Sequence, residues 1–346
     1  MKLGLDLAYS GAKLALPVDK ILLAEELGFD SIWASEAYGS DAFTPLAYVA
    51  ALTKKIRLGT GIAQLAARTP ANCAMIAQTL DALAGEGRVV VGVGVSGPQI
   101  VEGWYGQPWG KPAERLRDYV AIMKKIWRRE APVSHEGAEI QLPYRGPGSS
   151  GLGKPLKSIL HGNPNIPVVL GTSTTSNIRL AGEIADGWLS MHVTPDTLGG
   201  RIKVLEEGLA KRTDGKTLKD FEIIANVILT LTDDIPATFA AIKPGIAMYV
   251  GGMGAKDKNF HKQAMIERGF GAEAERIQEL FMAGRKEEAV QVVPDEYIDE
   301  ISMIGPPERI RARFRRWCDA GLTTMRFGNF SEDSMRLVAK ISREFA

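Results

Sequence analysis

The feature that most constrains the fold of this 346-residue chain is an alternation that repeats along its length. An amphipathic helical stretch ends at a turn, often with a glycine, and a short apolar run of strand character follows. The runs are continuously apolar, which is typical of strands that are buried on both faces. We predict eight of these strands, at 3–8, 30–34, 56–62, 88–95, 167–170, 187–191, 222–231 and 323–327.

Strands that alternate with helices indicate a parallel sheet, and eight of them favour a closed barrel over an open, doubly wound sheet. We therefore predict a single α/β domain over residues 1–346, a (β/α)8 TIM barrel with two insertions. The first insertion, 130–166, contains five prolines and six glycines, and the second, 243–304, is mostly helical and charged. Long excursions in compact domains are usually lids or binding loops.

Charge and cysteine content exclude several classes of protein. Lys and Arg total 42 while Asp and Glu total 41, so we expect no nucleic-acid partner. Cys73 and Cys318 do not make a disulfide framework, and the N-terminus lacks a signal-peptide pattern, which together indicate a cytoplasmic protein. No stretch approaches ~18 apolar residues, so we expect no membrane span. The arginines that we interpret as a solvated helix face are Arg311, Arg313, Arg315 and Arg316.

In a barrel the active site lies at the carboxyl ends of the strands, so the residues that follow each strand are the candidates. They include Tyr9, Ser35 with Glu36, the run 60–64, and His192. The run 92–97 matches G-x-G-x-x-G, but Pro98 and an aromatic loop follow it instead of a helix, which argues against a Rossmann site. We expect its glycines to let a flat ring approach the backbone.

The end of the fifth strand has the composition of an anion site. Gly171 permits a close approach, and Thr172, Ser173, Thr174 and Ser176 place hydroxyl and N–H groups at the start of a helix, which suits a phosphate. The alternative is an ordinary helix cap by one of these hydroxyls. The four histidines are scattered and no metal-ligand spacing is present, so we expect no metal site. Glycines, hydroxyls and aromatics with few acids or bases indicate cofactor chemistry.

Three segments resemble the luciferase-like monooxygenase superfamily: AEELGFDSIWASE, IRLGTGIAQLAARTPANCAMIAQTLDALAGEGRVVVGVG and LAGEIADGW. The run SGPQIVEGWYGQPW is similar to its branch of coenzyme F420-dependent oxidoreductases, including members like methylenetetrahydromethanopterin reductase. The resemblance covers nearly the whole chain and is strongest over residues 20–120. It implies a cis peptide bond at Gly61–Ile62, against the cofactor ring. The chain departs from the branch at two places. It has Glu36 where members of the branch frequently have a histidine, and Ser-Thr-Thr at 173–175 where they often have Gly-Pro-Lys.

The resemblance implies F420 as cofactor, with FMN as the alternative, and hydride transfer between the deazaflavin C5 and a small-molecule substrate above the ring. The expected cofactor contacts are Ser35, Gly61, Ile62, Ala63, Gly94, Ser96, Gly171, Thr172, Ser173 and Ser176. Glu36 and His192 are candidate proton donors. The alternatives are that Glu36 binds the cofactor or caps its loop, and that His192 is an ordinary loop residue.

The aromatic residues that we assign to the substrate pocket are Tyr9, Trp104, Tyr105 and Trp109; the alternative is that these rings pack the loop on the barrel rim. We also predict a cationic groove for the anionic F420 tail, formed by Arg68, Lys111 and Arg115. Two other functions stay open, an FMN-dependent monooxygenase that uses oxygen and a non-catalytic flavin-binding barrel. A homodimer is one option for the oligomeric state.

Overall fold

A computed structural model of the chain, which describes residues 1–8, 11–253, 259–328 and 331–345, contains the predicted barrel. Its eight parallel strands are β1 Lys2–Asp6, β2 Ser31–Ala34, β3 Arg57–Thr60, β4 Val89–Gly94, β5 Val168–Gly171, β6 Gly187–Ser190, β7 Glu222–Asn226 and β8 Thr324–Gly328. After a two-residue break β3 continues as Ala63–Gln64, which also pairs with β4.

The strands pair in chain order, and the ring closes between the first strand and the last. Lys2 of β1 lies opposite Thr324 of β8, and Leu58 of β3 lies opposite Val89 of β4. This closure confirms the TIM barrel. It also brings the carboxyl ends of β1, β2, β3 and β8 together on one side of the barrel mouth.

One helix of each strand–helix unit packs on the outside of the barrel. These helices are Val18–Leu27, Phe43–Leu52, Pro70–Ala84, Pro112–Arg128, Thr175–Ile184, Pro195–Leu209, Pro307–Asp319 and Glu332–Glu344. Proline at the first helical position, as in the third of them, lacks an N–H that would be unpaired there anyway. The preceding Thr69 accepts a hydrogen bond from the Asn72 N–H (3.2 Å) and caps the same helix.

The inside of the barrel is filled by apolar side chains from several strands. Buried side chains from five strands form this inner cluster: Trp33, Val90, Val169, Leu189 and Ile224. Ile62, which follows β3, packs against the cluster and is only partly buried. The barrel is therefore a filled core whose upper end is covered by Ile62.

The seventh strand is shorter than the sequence predicts. The apolar run 222–231 is split after Asn226, and Ile228–Leu231 pairs in parallel with Ser302–Gly305 in a separate two-stranded sheet. The Val227 N–H donates to the Arg326 carbonyl (2.9 Å) at the split. A continuous apolar run does not reveal this change of partner, because both halves are equally suited to burial.

The second insertion begins earlier than predicted. Its helices are Ile235–Gly252, Phe260–Glu267, Gly271–Met282, Lys286–Val292 and Asp295–Glu300. Asp234 caps the first of them by accepting the Ala237 N–H (3.0 Å). Despite its many charges the insertion encloses its own apolar cluster, which includes Val250, Met265, Ile277 and Ile298.

The first insertion is mostly irregular, with a short hairpin of His135–Glu136 and Gln141–Leu142. Asp118 of the helix beneath it accepts hydrogen bonds from the Glu139 and Ile140 N–H groups (2.7 and 2.9 Å) and contacts His135. These bonds outweigh burial and hold the pKa of Asp118 below its usual value. They fix the hairpin to the barrel.

The four clustered arginines each have a carboxylate partner. Their ion pairs are Arg311–Glu344, Arg313–Asp299, Arg315–Asp319 and Arg316–Asp196.

In the part of the chain that the structure describes, no helix combines the length and the apolar character needed to cross a bilayer.

Candidate active site

The residues that follow the barrel strands converge on one mouth. Among the described residues, four non-glycine residues have a left-handed φ, and three of them directly follow barrel strands: Ala8 (57°), Ser96 (57°) and His192 (59°). Such backbone conformations are costly and collect at ligand sites, where the surrounding structure maintains them. The backbone after β1, β4 and β6 therefore adopts a conformation that strand formation alone does not require. Tyr9 lies outside the described residues.

The peptide bond between Gly61 and Ile62 is cis, which confirms the prediction. Ile62 lies between two glycines at neighbouring strand ends. A Cβ on Gly94 would lie 3.0 Å from Ile62 Cδ1, and a Cβ on Gly171 would lie 2.5 Å from Ile62 Cγ2. We call Ile62 with Gly94 and Gly171 the Ile62 platform. The platform offers an apolar surface, because Ile62 supplies the side chain and the two glycines beside it have none.

An arginine that the sequence analysis did not single out lies beneath this platform. Arg326 of β8 is 2% exposed and donates to Asp6 Oδ2 (2.7 Å), to the Gly61 carbonyl (3.3 Å) and to Ser35 Oγ (3.4 Å). Ser35 Oγ in turn donates to the same carbonyl (2.8 Å). We call these four residues the Arg326 cluster. It links the ends of β1, β2, β3 and β8.

The Arg326 cluster retains one free donor. Arg326 Nε is buried and has no hydrogen-bond partner among the described residues. Asp6 uses its second oxygen to accept the Ala8 N–H (2.9 Å), so the ion pair also holds the left-handed residue after β1. A charged residue in the middle of the apolar strand TTMRF is the sequence signal that would have pointed to this site, since buried charges require partners.

Glu36 is 5% exposed, and both of its carboxylate oxygens are engaged. Oε2 accepts the Gln64 N–H (2.7 Å) and Arg68 Nη1 (2.9 Å), and Oε1 accepts Arg68 Nη2 (2.5 Å). Burial lowers the pKa of Arg68, but the hydrogen bonds and charge of Glu36 outweigh it and the pKa is raised. Glu36 therefore connects the loop after β2 to the segment after β3, beside Ala63.

Two of the three members of the predicted cationic groove have carboxylate partners. The Arg68 guanidinium is paired with Glu36, and Arg115 is paired with Glu139 (3.2 Å). Lys111 is exposed at the start of the helix Pro112–Arg128. The partners of Arg68 and Arg115 lie 32 and 24 positions away along the chain, so local sequence patterns do not reveal these pairs.

The end of β5 leads into a helix with an open N-terminus. Thr172 is nearly buried, and its carbonyl accepts the Trp188 indole N–H (2.8 Å). Thr174 is the N-cap of Thr175–Ile184, yet within the described chain its side chain makes no capping hydrogen bond; its hydroxyl contacts that of Ser176 (3.4 Å). The first N–H groups of this helix are thus available to an anion, as a phosphate site requires.

A cavity of about 100 Å³ adjoins this terminus. It lies between the ends of β5 and β6 and the insertion helix Phe260–Glu267, and Ser173 and Thr174 line it together with Arg201 and Arg268. Arg201 pairs with Glu267 (2.8 Å), while Arg268 pairs with Glu300 (2.7 Å). Arg268 Nη1 is buried with no partner in the described ranges. Arg201 and Arg268 therefore place positive charge beside β5 and β6.

His192 is half-buried at the same cavity, and its Nε2 atom is buried. Its Nε2 is without a hydrogen-bond partner in the described part of the molecule, and its ring meets the His261 ring edge-on, with 4.8 Å between the centroids. Burial, followed by the nearby His261 and Arg268, lowers the pKa of His192 to about 3. The imidazole is consequently neutral at pH 7.

The aromatic loop after β4 packs against the segments that follow β2 and β3. Trp104 is 62% exposed and lies against Tyr38 (6.4 Å between centroids), and the Tyr105 hydroxyl donates to the Ala37 carbonyl (3.1 Å). Trp109 lines a small pocket together with Leu65, which follows β3, and Val95, which follows β4. Trp104 and Tyr105 therefore join the β4 loop to the β2 loop.

Comparisons with known protein sequences identify relatives of this chain. The chain is 43% identical over 343 residues, 99% of both chains, to a Mycobacterium tuberculosis protein whose name is that of a coenzyme F420-dependent oxidoreductase. It is 26% identical over 326 residues, 94% of this chain and 92% of the relative, to the 5,10-methylenetetrahydromethanopterin reductase of Archaeoglobus fulgidus.

Solved structures share the fold. The F420-dependent tetrahydromethanopterin reductase of Methanopyrus kandleri superposes with a TM-score of 0.80 at 23% identity, covering 100% of this chain and 99% of the other. An FMN-bound monooxygenase component from Pseudomonas putida superposes with a TM-score of 0.68 at 18% identity, covering 98% and 97%. The family model for luciferase-like monooxygenases matches residues 4–324. The chain therefore belongs to the luciferase-like monooxygenase family.

Proposed function

We propose that this protein is an oxidoreductase that uses coenzyme F420 to transfer a hydride to or from a small organic substrate. The observation that carries the proposal is the 43% identity, over 99% of both chains, to the mycobacterial relative named for F420. Coenzyme F420, when bound, supplies a two-electron hydride donor or acceptor at C5 of its deazaflavin ring.

The residues present fit a flat cofactor ring. The Ile62 platform offers one apolar side chain flanked by two glycines, so a planar ring system can lie directly on it. The Arg326 cluster holds the Gly61 carbonyl from below. Since the platform rests on the packed inner cluster, it stays in place when the ring binds.

The cofactor phosphate and its anionic tail fit the β5–β6 side of the mouth. The open N-terminus of Thr175–Ile184 provides N–H groups, and the hydroxyls of Ser173 and Ser176 are beside it. Arg268 lines the adjoining cavity, and its buried Nη1 has no partner among the described residues, so it retains a donor for an anion although the side chain is paired with Glu300. We therefore propose this side of the mouth, rather than the groove of Arg68, Lys111 and Arg115, as the path for the tail.

The two candidate proton donors take different roles in this proposal. Glu36 positions the strand ends, because its oxygens are occupied by Gln64 and Arg68. His192 acts as a neutral imidazole whose unpartnered Nε2 can hydrogen-bond a ligand in the cavity. Reduction of a carbonyl or C=C substrate consumes one proton with each hydride.

The test is a pair of equilibrium titrations of the purified protein with F420 and with FMN, in the same buffer. We expect F420 to bind at least about tenfold more tightly, a difference of roughly 1.4 kcal/mol. Arg268→Gln should weaken F420 more than FMN, whereas the matched control Arg311→Gln, on the outer helix Pro307–Asp319, should leave both affinities unchanged.

An FMN-dependent monooxygenase is the second candidate, supported by the similarity in fold to the FMN-bound Pseudomonas putida structure. Tighter binding of FMN than of F420, with oxygen consumption by the FMNH2-loaded protein, would favour this second function. Binding of neither cofactor would contradict both.

A further inference from the structure

The first insertion carries an exposed arm that the candidate active site does not use. The arm consists of residues 143–161, none of which is buried. Its large apolar side chains are exposed to 56% at Tyr144, 85% at Leu152, 69% at Leu156, 93% at Ile159 and 42% at Leu160. We call residues 143–161 the exposed arm. Single exposed apolar side chains are common on proteins, whereas a group of this kind in one short segment marks an interaction surface.

Backbone hydrogen bonds hold the exposed arm to the barrel. The Leu156 carbonyl accepts the Val133 N–H (2.8 Å), and the Ser158 carbonyl accepts Arg129 Nε (2.8 Å). These bonds engage the backbone of the arm and leave its side chains free. The arm therefore presents its apolar side chains in a fixed conformation, and a segment that is already ordered loses less conformational entropy when it binds a partner.

The two halves of the exposed arm lie against each other. A Cβ on Gly153 would lie 3.3 Å from Pro143 Cβ and 4.0 Å from the Tyr144 carbonyl oxygen. The segment that contains Tyr144 is therefore beside the segment that contains Leu152. Both halves contribute side chains to the same region of the surface.

The exposed arm is also cationic. Its exposed charged residues, which have no ion pair among the described residues, are Arg145, Lys154 and Lys157. The chain contains no Asp or Glu from residue 140 to residue 182. Glu139, which precedes this stretch, is paired with Arg115. Cations interleaved with apolar side chains, without carboxylates, favour a partner that is anionic and partly apolar.

A second copy of this chain does not fit the exposed arm in a twofold contact. In such a contact the same surface of each copy faces the other. Lys154 and Lys157 would then approach the same residues of the other copy, and the arm has no carboxylate to separate them. A lipid surface supplies anionic headgroups together with an apolar interior. It also adapts to an irregular arm, whereas a protein partner must match the shape of the arm.

We propose that the exposed arm docks on an anionic lipid surface. In this docking Leu152, Leu156 and Ile159 enter the headgroup region, and the three cations meet the phosphate groups of the lipids. Side chains that enter only to this depth need no membrane-spanning helix. No residue of the arm lines the cavity beside β5 and β6, so the docking does not depend on which cofactor the protein binds.

Co-sedimentation of the purified protein with two kinds of vesicle tests the docking. One kind contains phosphatidylcholine alone, and the other contains equimolar phosphatidylcholine and phosphatidylglycerol. We expect binding to the anionic vesicles to be at least about tenfold tighter, because each cation near an anionic surface contributes about fivefold. Raised salt should weaken this binding, since exposed charges are screened.

A pair of lysine variants tests the contribution of charge. Lys154→Gln/Lys157→Gln should weaken binding to the anionic vesicles by about twentyfold. The matched control Lys54→Gln/Lys55→Gln removes two exposed cations that follow the helix Phe43–Leu52 and should leave the binding unchanged.

Ile159→Ser tests the apolar contribution. It should weaken binding to the anionic vesicles by about tenfold, because the side chain no longer gains from leaving water. The control Met282→Ser, at a side chain that is 62% exposed at the end of Gly271–Met282, should change nothing. All of the substituted side chains are exposed, so the urea midpoints of the variants should match that of the unmodified protein.

Equal binding to both kinds of vesicle, or binding to neither, would overturn the proposal. Unchanged binding by Lys154→Gln/Lys157→Gln or by Ile159→Ser would overturn it too. Sedimentation velocity without vesicles examines the alternative: a dimer that Ile159→Ser dissociates would show that a second copy covers the arm. Binding of soluble poly-glutamate, without binding of the anionic vesicles, would assign the arm to an acidic protein instead.

Discussion

The guanidinium of Arg326 occupies the space that a side chain at residue 61 would need: a Cβ on Gly61 would overlap with Arg326 Nη1. The same nitrogen donates to the Gly61 carbonyl (3.3 Å), so the two residues are matched both in shape and in hydrogen bonding. One comes from the third strand region and the other from the last strand, and barrel closure alone brings them together. The support of the Ile62 platform thus depends on residues 265 positions apart.

Arg326→Met should strongly destabilise the protein. The substitution leaves the Asp6 side chain, which is 13% exposed, without its cation, and loss of one partner of a buried ion pair costs about 3–5 kcal/mol. Urea unfolding of Arg326→Met, of Asp6→Asn and of the double variant measures the coupling. A loss below 1 kcal/mol in Arg326→Met, or strictly additive losses in the double variant, would show that the pair is not the support described here.

Gly171→Ala should weaken cofactor binding because the added methyl group displaces Ile62, and not because it occupies the phosphate site. We expected residue 171 to face the phosphate, but a Cβ there would lie 2.5 Å from Ile62 Cγ2. Overpacking of this kind costs about 1–3 kcal/mol. Ile62→Ala removes the clashing methyl group, so the double variant should be more stable to urea than Gly171→Ala alone. No recovery in the double variant would place the effect elsewhere.

Glu36→Gln should lower stability without moving the pH profile of activity. The carboxylate accepts three hydrogen bonds, two of them from Arg68, and loss of a charged hydrogen bond costs about 1.5–3 kcal/mol. Arg68→Gln should produce a similar loss. A shift or disappearance of one limb of the pH profile in Glu36→Gln, with Arg68→Gln retaining it, would restore Glu36 as a proton donor.

His192 should remain neutral throughout the physiological pH range. Its pKa of about 3 in the folded protein is below the ordinary value of 6.5, so the unfolded chain binds a proton that the folded protein excludes. Stability is therefore fully present above about pH 6.5 and is lost as the pH falls from there towards 3. Between pH 7 and pH 5 the loss from this residue is about 2 kcal/mol.

The control for His192 is His192→Asn, which does not titrate and should lose less stability over the same pH interval. The His192 ring protons should also show no NMR titration between pH 5 and pH 8. A titration midpoint near pH 6.5 would contradict the prediction that the imidazole stays neutral.

The sequence predicted most of the fold because hydrophobic periodicity is local. Most strand ends fall within a few residues of their predicted positions: β2, predicted at 30–34, is Ser31–Ala34. Residues that follow strands, such as Ser35 and Ile62, were found for the same reason. The split of the run 222–231 was missed because its two halves have the same apolar character but different partners.

The parts of the site that the sequence did not predict depend on contacts between distant segments. Arg326 acquires its partners when β8 closes against β1, and Arg68 is neutralised by a carboxylate from another loop. Tyr249 and His261 reach the mouth only because the insertion folds back over it. Local patterns carry no information on such pairings, so the ion pair of Arg68 with Glu36 was not predicted.

A crystal structure of the protein with bound F420 tests the central claim most directly. The account predicts that the deazaflavin ring lies on Ile62 and that the cofactor phosphate meets the N-terminus of Thr175–Ile184. A ring bound away from Ile62, or a phosphate held by Arg68 and Lys111 on the β3–β4 side, would contradict it.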